Sequence, residues 1–313
     1  MRRCTLHFQL AGAAAAWFLL FPVQAQPPPP FDLAQLRTRS EAGDPAAQYQ
    51  LGRAFLRGEG VPRNLPEAYR LLKSASEAGN ADAKGAYGFM IAKGMTVPAD
   101  EAAGLELIRQ SAAAGVIPSK LNLGIMTLKG QGTAQDQVAG IKLITEAATL
   151  GNVDAQVRLA EVYHFGDDGV AKSPENAAIW AMKAADAGNA WAQNLSGTMK
   201  EYALGMPVDL PGALVFYRKA AEQGEAKAQS NLGRVLLTGL TGKRDAVQAY
   251  YWLKAAADQS EITARNLLGE TLAGFTEDEI KQAKTLAEKS PPPMNTRQRA
   301  GSKANWLPHP TPE

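Results

Sequence analysis

Small and apolar residues recur along this chain at helical spacing, in paired stripes separated by glycine. Ala47, Leu51 and Phe55 lie at i, i+4 and i+8, on one face of a helix. Gly58-Glu59-Gly60-Val61-Pro62 then breaks the stripe, because glycine- and proline-containing stretches punctuate regular structure. Asn64 follows, and Ala68, Leu71 and Ala75 form a second stripe that ends at Gly79. A glycine just past a helix suits the left-handed C′ position, where it has no Cβ to clash. The pattern predicts one helix-turn-helix unit between Gly43 and Gly79.

The whole unit recurs. Glycines fall at 43, 79, 115, 151, 188 and 224, with Ser260 in the next slot, at intervals of 36, 36, 36, 37, 36 and 36. Nine residues after each comes a small residue: Gly52, Gly88, Gly124, Ala160, Gly197, Gly233 and Gly269. The second helices are predicted to start at Asn64, Asp100, Asp136, Ser173, Asp209 and Asp245, all short polar residues that cap free N–H groups. Pro66, Pro174 and Pro211 lie in the first turn, where a missing N–H costs nothing. Ala68, Ala177, Ala213 and Ala249 align in one column that Gly104 and Gly140 complete, and small side chains let helices approach closely. A period of this length marks stacked units that bury each other's apolar faces. The expected fold is an all-α solenoid over residues 32–289, with six 36-residue repeats and partial repeats at both ends.

Four places depart from the pattern. The third unit begins Gly115-Val116-Ile117-Pro118-Ser119, without the usual alanine, and the fourth has one extra residue around Gly166–Gly169. In the fifth, Tyr202-Ala203-Leu204-Gly205 reads as two residues gained in the first helix and two lost from the loop. The sixth loop, Gly239–Lys243, lacks the usual valine.

The ends of the chain have a different character. Arg2 and Arg3, an apolar run from Leu10 to Val23, and Val23-Gln24-Ala25 have the layout of a cleaved signal peptide over residues 1–25. The competing reading is an uncleaved anchor, but the run is shorter than the roughly 20 residues of a spanning helix and Pro22 interrupts it. Loss of the leader lowers Lys+Arg from 33 to 31, against 31 Asp+Glu, and a formally neutral chain argues against a nucleic-acid partner. The single cysteine, Cys4, leaves with it, so stability is expected from the stacked core rather than from disulfides. Residues 26–31 read as a proline-rich spacer, and 290–313 as a disordered proline-rich tail in which Trp306 is the one candidate anchor.

Ala47-Gln48-Tyr49-Gln50-Leu51-Gly52, the loop Gly58–Val61, and the phrases Trp180–Gly188 and Trp252–Ala256 resemble the Sel-one-like repeat family, a subclass related to tetratricopeptide solenoids. The resemblance covers about 32–289. It implies a right-handed superhelix and a scaffold or adaptor role. Many bacterial members are exported and regulate envelope processes, exopolysaccharide production or host interaction through protein contacts. The resemblance therefore points to a periplasmic protein, with secretion as the alternative. Some cysteine-rich members are associated with penicillin binding or hydrolysis, but their paired cysteines are missing here and that inference does not transfer.

Candidate chemistry is sparse. The histidines are His7, His164 and His309, so a cysteine–histidine nucleophile pair or a thiolate zinc site has no residues to use. His164 lies near Asp167 and Asp168, which is thin for a metal site; an exposed helix position beside an acidic loop is the simpler reading. Glu101 and Glu106 read as a solvated helix face, and no strand precedes a glycine-rich phosphate loop. The expectation is a protein with no catalytic site, metal or cofactor.

On a helical wheel, one arc of each first helix faces away from its partner, and in solenoids of this type the first helices line the concave surface. In units one to three that arc carries Tyr49, Arg53, Arg57, Phe89, Lys93, Leu121, Ile125, Leu128 and Lys129. A basic ladder beside exposed apolar rows is expected to bind another protein, through an acidic amphipathic segment of an envelope protein. The alternative is that the apolar groups pack between units and the lysines are ordinary surface charges. Later units carry Glu161, Glu201 and Glu270 on the same arc, which argues against one uniform stripe. Carbohydrate binding would need an aromatic groove, whereas Trp180 and Trp252 fall in a packing column. The expected state is a monomer without a membrane span once the leader is removed.

Overall fold

The computed structural model describes residues 32–294 apart from residue 167. A lone helix, α1 (Leu33–Glu41), comes first. Six helix pairs follow: α2 (Pro45–Arg57) with α3 (Leu65–Glu77), α4 (Ala81–Ala92) with α5 (Glu101–Ala113), and α6 (Ile117–Lys129) with α7 (Gln137–Thr149). Next come α8 (Val153–Phe165) with α9 (Pro174–Asp186), α10 (Ala190–Tyr202) with α11 (Leu210–Glu222), and α12 (Ala226–Thr238) with α13 (Ala246–Asp258). α14 (Ile262–Thr271) opens a seventh unit and runs on through a 3₁₀ turn, Leu272–Gly274; α15 (Glu277–Lys289) follows. From α1 to α14 each helix packs on the next in sequence, and no strand occurs among the described residues, so the fold is an all-α solenoid.

Local chemistry sets the helix starts. Asn64, Asp100, Asp136, Ser173, Asp209 and Asp245 all cap second helices, their side chains accepting from the N–H three residues on. Each satisfies a donor that a helix start leaves without an intrahelical partner. Asp44, Asn80, Asn152 and Asn189 do the same for first helices. Val116 cannot, and there Pro118 in the first turn presets the helix instead. All six boundary glycines have positive φ, from 84° at Gly224 to 91° at Gly115, and Ser260 keeps the same turn at φ 70°.

The fifth unit corrects one expectation. α10 has 13 residues, as α6, α8 and α12 do, so nothing is gained in the helix or lost from the loop. Ala203, at φ 56°, holds the left-handed cap that Gly58, Gly130, Gly166 and Gly239 hold elsewhere. An alanine in a glycine slot disguised the register; Gly205 is the counterpart of Gly60. The extra residue of the fourth loop is present, and Asp168 adopts positive φ (53°) there.

Small residues set the helix spacing. A Cβ added to Gly124 would lie 2.8 Å from Ile144 Cγ1 and 3.0 Å from the Gly140 carbonyl oxygen, and one on Gly233 would lie 2.6 Å from Leu253 Cγ. The third unit's missing alanine is compensated in space. Ser119 Oγ hydrogen-bonds Ser111 Oγ at 2.7 Å, and Gly85 leaves the room, since a Cβ there would come within 2.1 Å of that hydroxyl.

A column of glutamines ties four of the first helices, α2, α8, α10 and α12, to the element before them. The side-chain amides of Gln48, Gln156, Gln193 and Gln229 donate to the carbonyls of Ser40, Ala148, Ala185 and Ala221. The C-terminal end differs from expectation too. α15 packs on α13, and the segment from Ser290 begins attached to the solenoid: Tyr251 donates to the Ser290 carbonyl (2.9 Å) and Gln229 to the Pro293 carbonyl (2.7 Å). The expected leader, the proline-rich spacer up to residue 31, and residues 295–313 of the tail lie outside the described residues.

Candidate partner-binding surface

Three pairs of successive first helices touch, α2 with α4, α4 with α6 and α12 with α14, while from α3 to α13 no pair of second helices approaches as closely. A curved stack brings its inner elements together, so the first helices line the inner side. Each of α2, α4, α6 and α12 is therefore clasped by its own second helix, the preceding helix and a neighbouring first helix. Little of its circumference stays open.

That crowding corrects the apolar part of the expected surface. Phe89, Leu121, Ile125 and Leu128 are buried, Leu128 completely. Phe89 packs with Leu105, Ile108 and Leu123, so it joins the second unit to the third. Leu121, Ile125 and Leu128 pack with Ile144, Ala155 and Leu159, joining the third to the fourth. A wheel drawn for one contacting neighbour underestimates a buried arc made by three.

The polar members remain accessible to different degrees. Tyr49 is half-buried, with the Arg53 guanidinium 6.0 Å from its ring centroid. Arg53 Nε is buried and has no hydrogen-bond partner. Arg57 reaches Glu59 at 3.3 Å on the exposed loop. Lys93 donates to the neutral amide oxygen of Gln131 at 3.2 Å, and the exposed Lys129 stands 4.0 Å from Asp168. Burial pushes the Lys93 ammonium below its ordinary value; Glu101 opposes that, and the like charge of Lys129 reinforces it.

The corresponding arc of units four to six neutralises its own charges. Arg158 pairs with Asp168 and, at 3.6 Å, with Glu161. Glu201 accepts two bonds from Arg234 of the next unit, at 2.6 and 2.7 Å, and one from Tyr217 at 2.8 Å. Burial alone would raise the Glu201 carboxyl, but Arg234 and Tyr217 outweigh it and hold it below the usual carboxylate value. Burial also lifts the Tyr217 hydroxyl, and the Glu201 bond adds to that. Sequence reasoning marked Glu161 and Glu201 as polar but missed their partners. The available signal was the opposite charge of Glu201 and Arg234 in adjacent repeats.

His164 is half-buried rather than exposed. Its ring lies edge-on to Phe165 at 4.7 Å, and its neighbouring charge is Lys172. Burial first, then Lys172, depresses its basicity. Asp167 lies outside the described residues, and no metal-competent group of His, Cys, Asp and Glu forms among those described. Trp180 and Trp252 are buried, so neither lines a groove.

A stack of capped 36-residue helix pairs with an inner face of first helices defines a tetratricopeptide-like repeat protein. The chain belongs to the Sel1 repeat family, whose repeat it matches over residues 45–80, 81–116, 117–152, 153–189, 192–225 and 226–261. Members of that family typically serve as protein–protein interaction scaffolds. Its fold is similar to that of c5321, a protective antigen present in uropathogenic Escherichia coli strains and displaying an SLR fold. The TM-score is 0.70 at 27% identity, over 90% of this chain and 61% of that one. A Sel1 repeat protein from Oxalobacter formigenes gives a TM-score of 0.64 at 28% identity, over 76% of this chain and 68% of that one. This chain thus spans about three-fifths of the length of the first of these relatives. No curated protein matches it in sequence.

Proposed function

We propose that the protein is a non-catalytic scaffold of the bacterial envelope that binds an acidic segment of another protein along the inner face of units one to three. The observation that carries this reading is the state of Lys93. Its ammonium is half-buried, beside a second lysine, with only a neutral amide as hydrogen-bond partner. A carboxylate placed there would offset the desolvation of one cation and the repulsion between two. Arg53 adds a donor without an acceptor, next to Tyr49, and Arg57 extends the strip. Arginine and tyrosine are also the side chains that most often anchor interfaces. With the apolar row assigned to the core, the partner is held by charge and aromatic contact, so binding should weaken as salt rises. Export is supported by the leader-like start of the sequence, and no described helix is long and apolar enough to cross a membrane.

The test compares the wild-type chain with a triple variant, Arg53→Glu, Arg57→Glu and Lys93→Glu, in capture from envelope extract and from purified glycans. The variant should keep its helicity and lose the captured protein. Equal capture by both chains would refute the site, and glycan binding in place of protein would refute the class of partner. Periplasmic release on osmotic shock checks the location.

A further inference from the structure

The solenoid ends in half a repeat. In five of the six complete units a glycine nine residues past the boundary receives the second helix: a Cβ on Gly52 would meet Leu72 at 2.9 Å, one on Gly197 Tyr217 at 2.8 Å, and one on Gly233 Leu253 at 2.6 Å. Gly269 holds the same slot in α14, yet a Cβ there meets nothing within 4 Å. The expected second helix is missing because α15 starts too early. Its cap, Thr276, lies 16 residues after Ser260, whereas 21 separate Gly224 from Asp245. The shortened connection sends α15 onto α13 instead. Ile262 (69% exposed) and Leu272 (49%) are left on an open flank with Gly269 and Ala273. Terminal repeats ordinarily present a polar outer face; here two large apolar side chains share it with exposed Arg265 and Asn266.

The chain itself supplies a candidate cover. From α15 it crosses to Gln229, which holds the Pro293 carbonyl, and Gln229 in turn accepts from Gln259, two residues before the α14 cap Glu261. Met294 therefore stands near the α13–α14 turn, at one end of the open flank. Residues 295–313 follow in the sequence, and 19 residues reach on the order of 60 Å when extended. The flank, 13 helical residues, is only about 20 Å long. The charges match as well: the segment carries Arg297, Arg299 and Lys303, and the rim of the flank has exposed Glu270, Glu277 and Asp278. Of the like charges at the flank, Arg265 is turned back onto the Ala257 carbonyl, and Arg244 is engaged by Glu279 and the Gly274 carbonyl. Among residues 295–313, Trp306 and Leu307 are the only large apolar side chains.

We infer that the segment 295–313 folds back over α14, with Trp306 against Gly269 as Tyr217 lies against Gly197. The interaction completes the seventh repeat from within the chain, and its loss would leave an apolar end open to a second copy. Amide hydrogen exchange on the full chain reads this directly. Trp306→Ala and Glu270→Lys should each lower protection of the α14 amides by about tenfold, an opening cost of about 1.4 kcal/mol. Protection of α2 to α11 should stay unchanged. Gly269→Ala separates the alternatives by sign: on an open flank it raises α14 protection through helix propensity, and under a seated Trp306 it lowers it. Unchanged α14 protection in Trp306→Ala, or a gain in Gly269→Ala, overturns the inference. So does a wild-type dimer in sedimentation whose α14 protection falls on dilution, because a second copy would then be the cover.

Discussion

Units one to three and units four to six share a backbone plan and differ in how they handle charge. In the later units each inner charge finds a partner in the same or the adjacent repeat: Arg158 with Glu161 and Asp168, Arg234 with Glu201. In the earlier units Arg53 Nε has no acceptor and Lys93 has only an amide. A stacked repeat can place complementary charges in register across units wherever the sequence supplies both signs. The later half uses this for cohesion. The earlier half leaves Arg53 and Lys93 without an ion pair, which favours recognition over stability.

The largest expected effect breaks that contrast at Glu201. Glu201→Gln removes the charge that compensates half-buried Arg234, and cutting one partner from a buried ion pair costs on the order of 3 kcal/mol. Arg53→Gln should change stability by less than about 0.5 kcal/mol, having no ion pair to lose. Chemical denaturation of both variants measures the difference, and equal losses would erase the distinction between the halves. The pH dependence follows the same residue. The folded carboxyl of Glu201 sits below its unfolded value of about 4.3, so its contribution is present above that pH and is lost as pH falls through the lower, folded value. Glu201→Gln should flatten the acid limb of the stability profile.

Next comes the packing inside the third unit, where the earlier half borders the later one. Gly124→Leu forces a side chain against Ile144 and the Gly140 backbone, and overpacking costs about 1–3 kcal/mol. Units three and four share one apolar cluster, so the loss should appear as a single cooperative shift in the melt. An unchanged melt would mean that the glycine column does not set helix spacing.

These contrasts also mark how far the sequence could be read. Helix starts and boundaries were legible because they are local: a capping Asp needs only its own backbone three residues on, and a left-handed turn needs only a residue that tolerates it. The fifth unit misled because Ala203 accepts the strain that glycine avoids elsewhere. The inner surface was less legible, since exposure depends on how many neighbours clasp a helix, and periodicity gives direction but not the number of neighbours. Tyr49, Arg53, Arg57, Lys93 and Lys129 keep polar groups at or near the surface, while Phe89, Leu121, Ile125 and Leu128 went to the core. The glutamine column was in plain view at Gln48, Gln156, Gln193 and Gln229, but its bonds reach back eight residues across a turn, a distance that periodicity does not convey.

A smaller effect concerns the later half alone. Ser260 sits at φ 70° where the other boundaries have glycine, so Ser260→Gly should relieve backbone strain and raise stability by about 0.5–1 kcal/mol. Gly224→Ser should cost a similar amount, and a thermal melt of each reads the sign.

The smallest prediction extends the later half's bonding to the earlier one. Gln193 Oε1 accepts from Gln223 at 2.7 Å, and Gln229 Oε1 from Gln259 at 2.8 Å. Gln48 Oε1 and Gln156 Oε1 are buried without partners, because Ala78 and Ala187 stand where the donor glutamines stand later in the chain. Ala78→Gln should supply the missing donor to Gln48. A hydrogen bond to a buried acceptor is worth roughly 1 kcal/mol, and ordering an exposed glutamine takes back part of it, leaving about 0.5 kcal/mol. The gain should vanish when Gln48 is also replaced by methionine. A gain that survives in the double variant would come from helix-end propensity, and the orphaned amide would then not be what separates the first unit from the fifth and sixth.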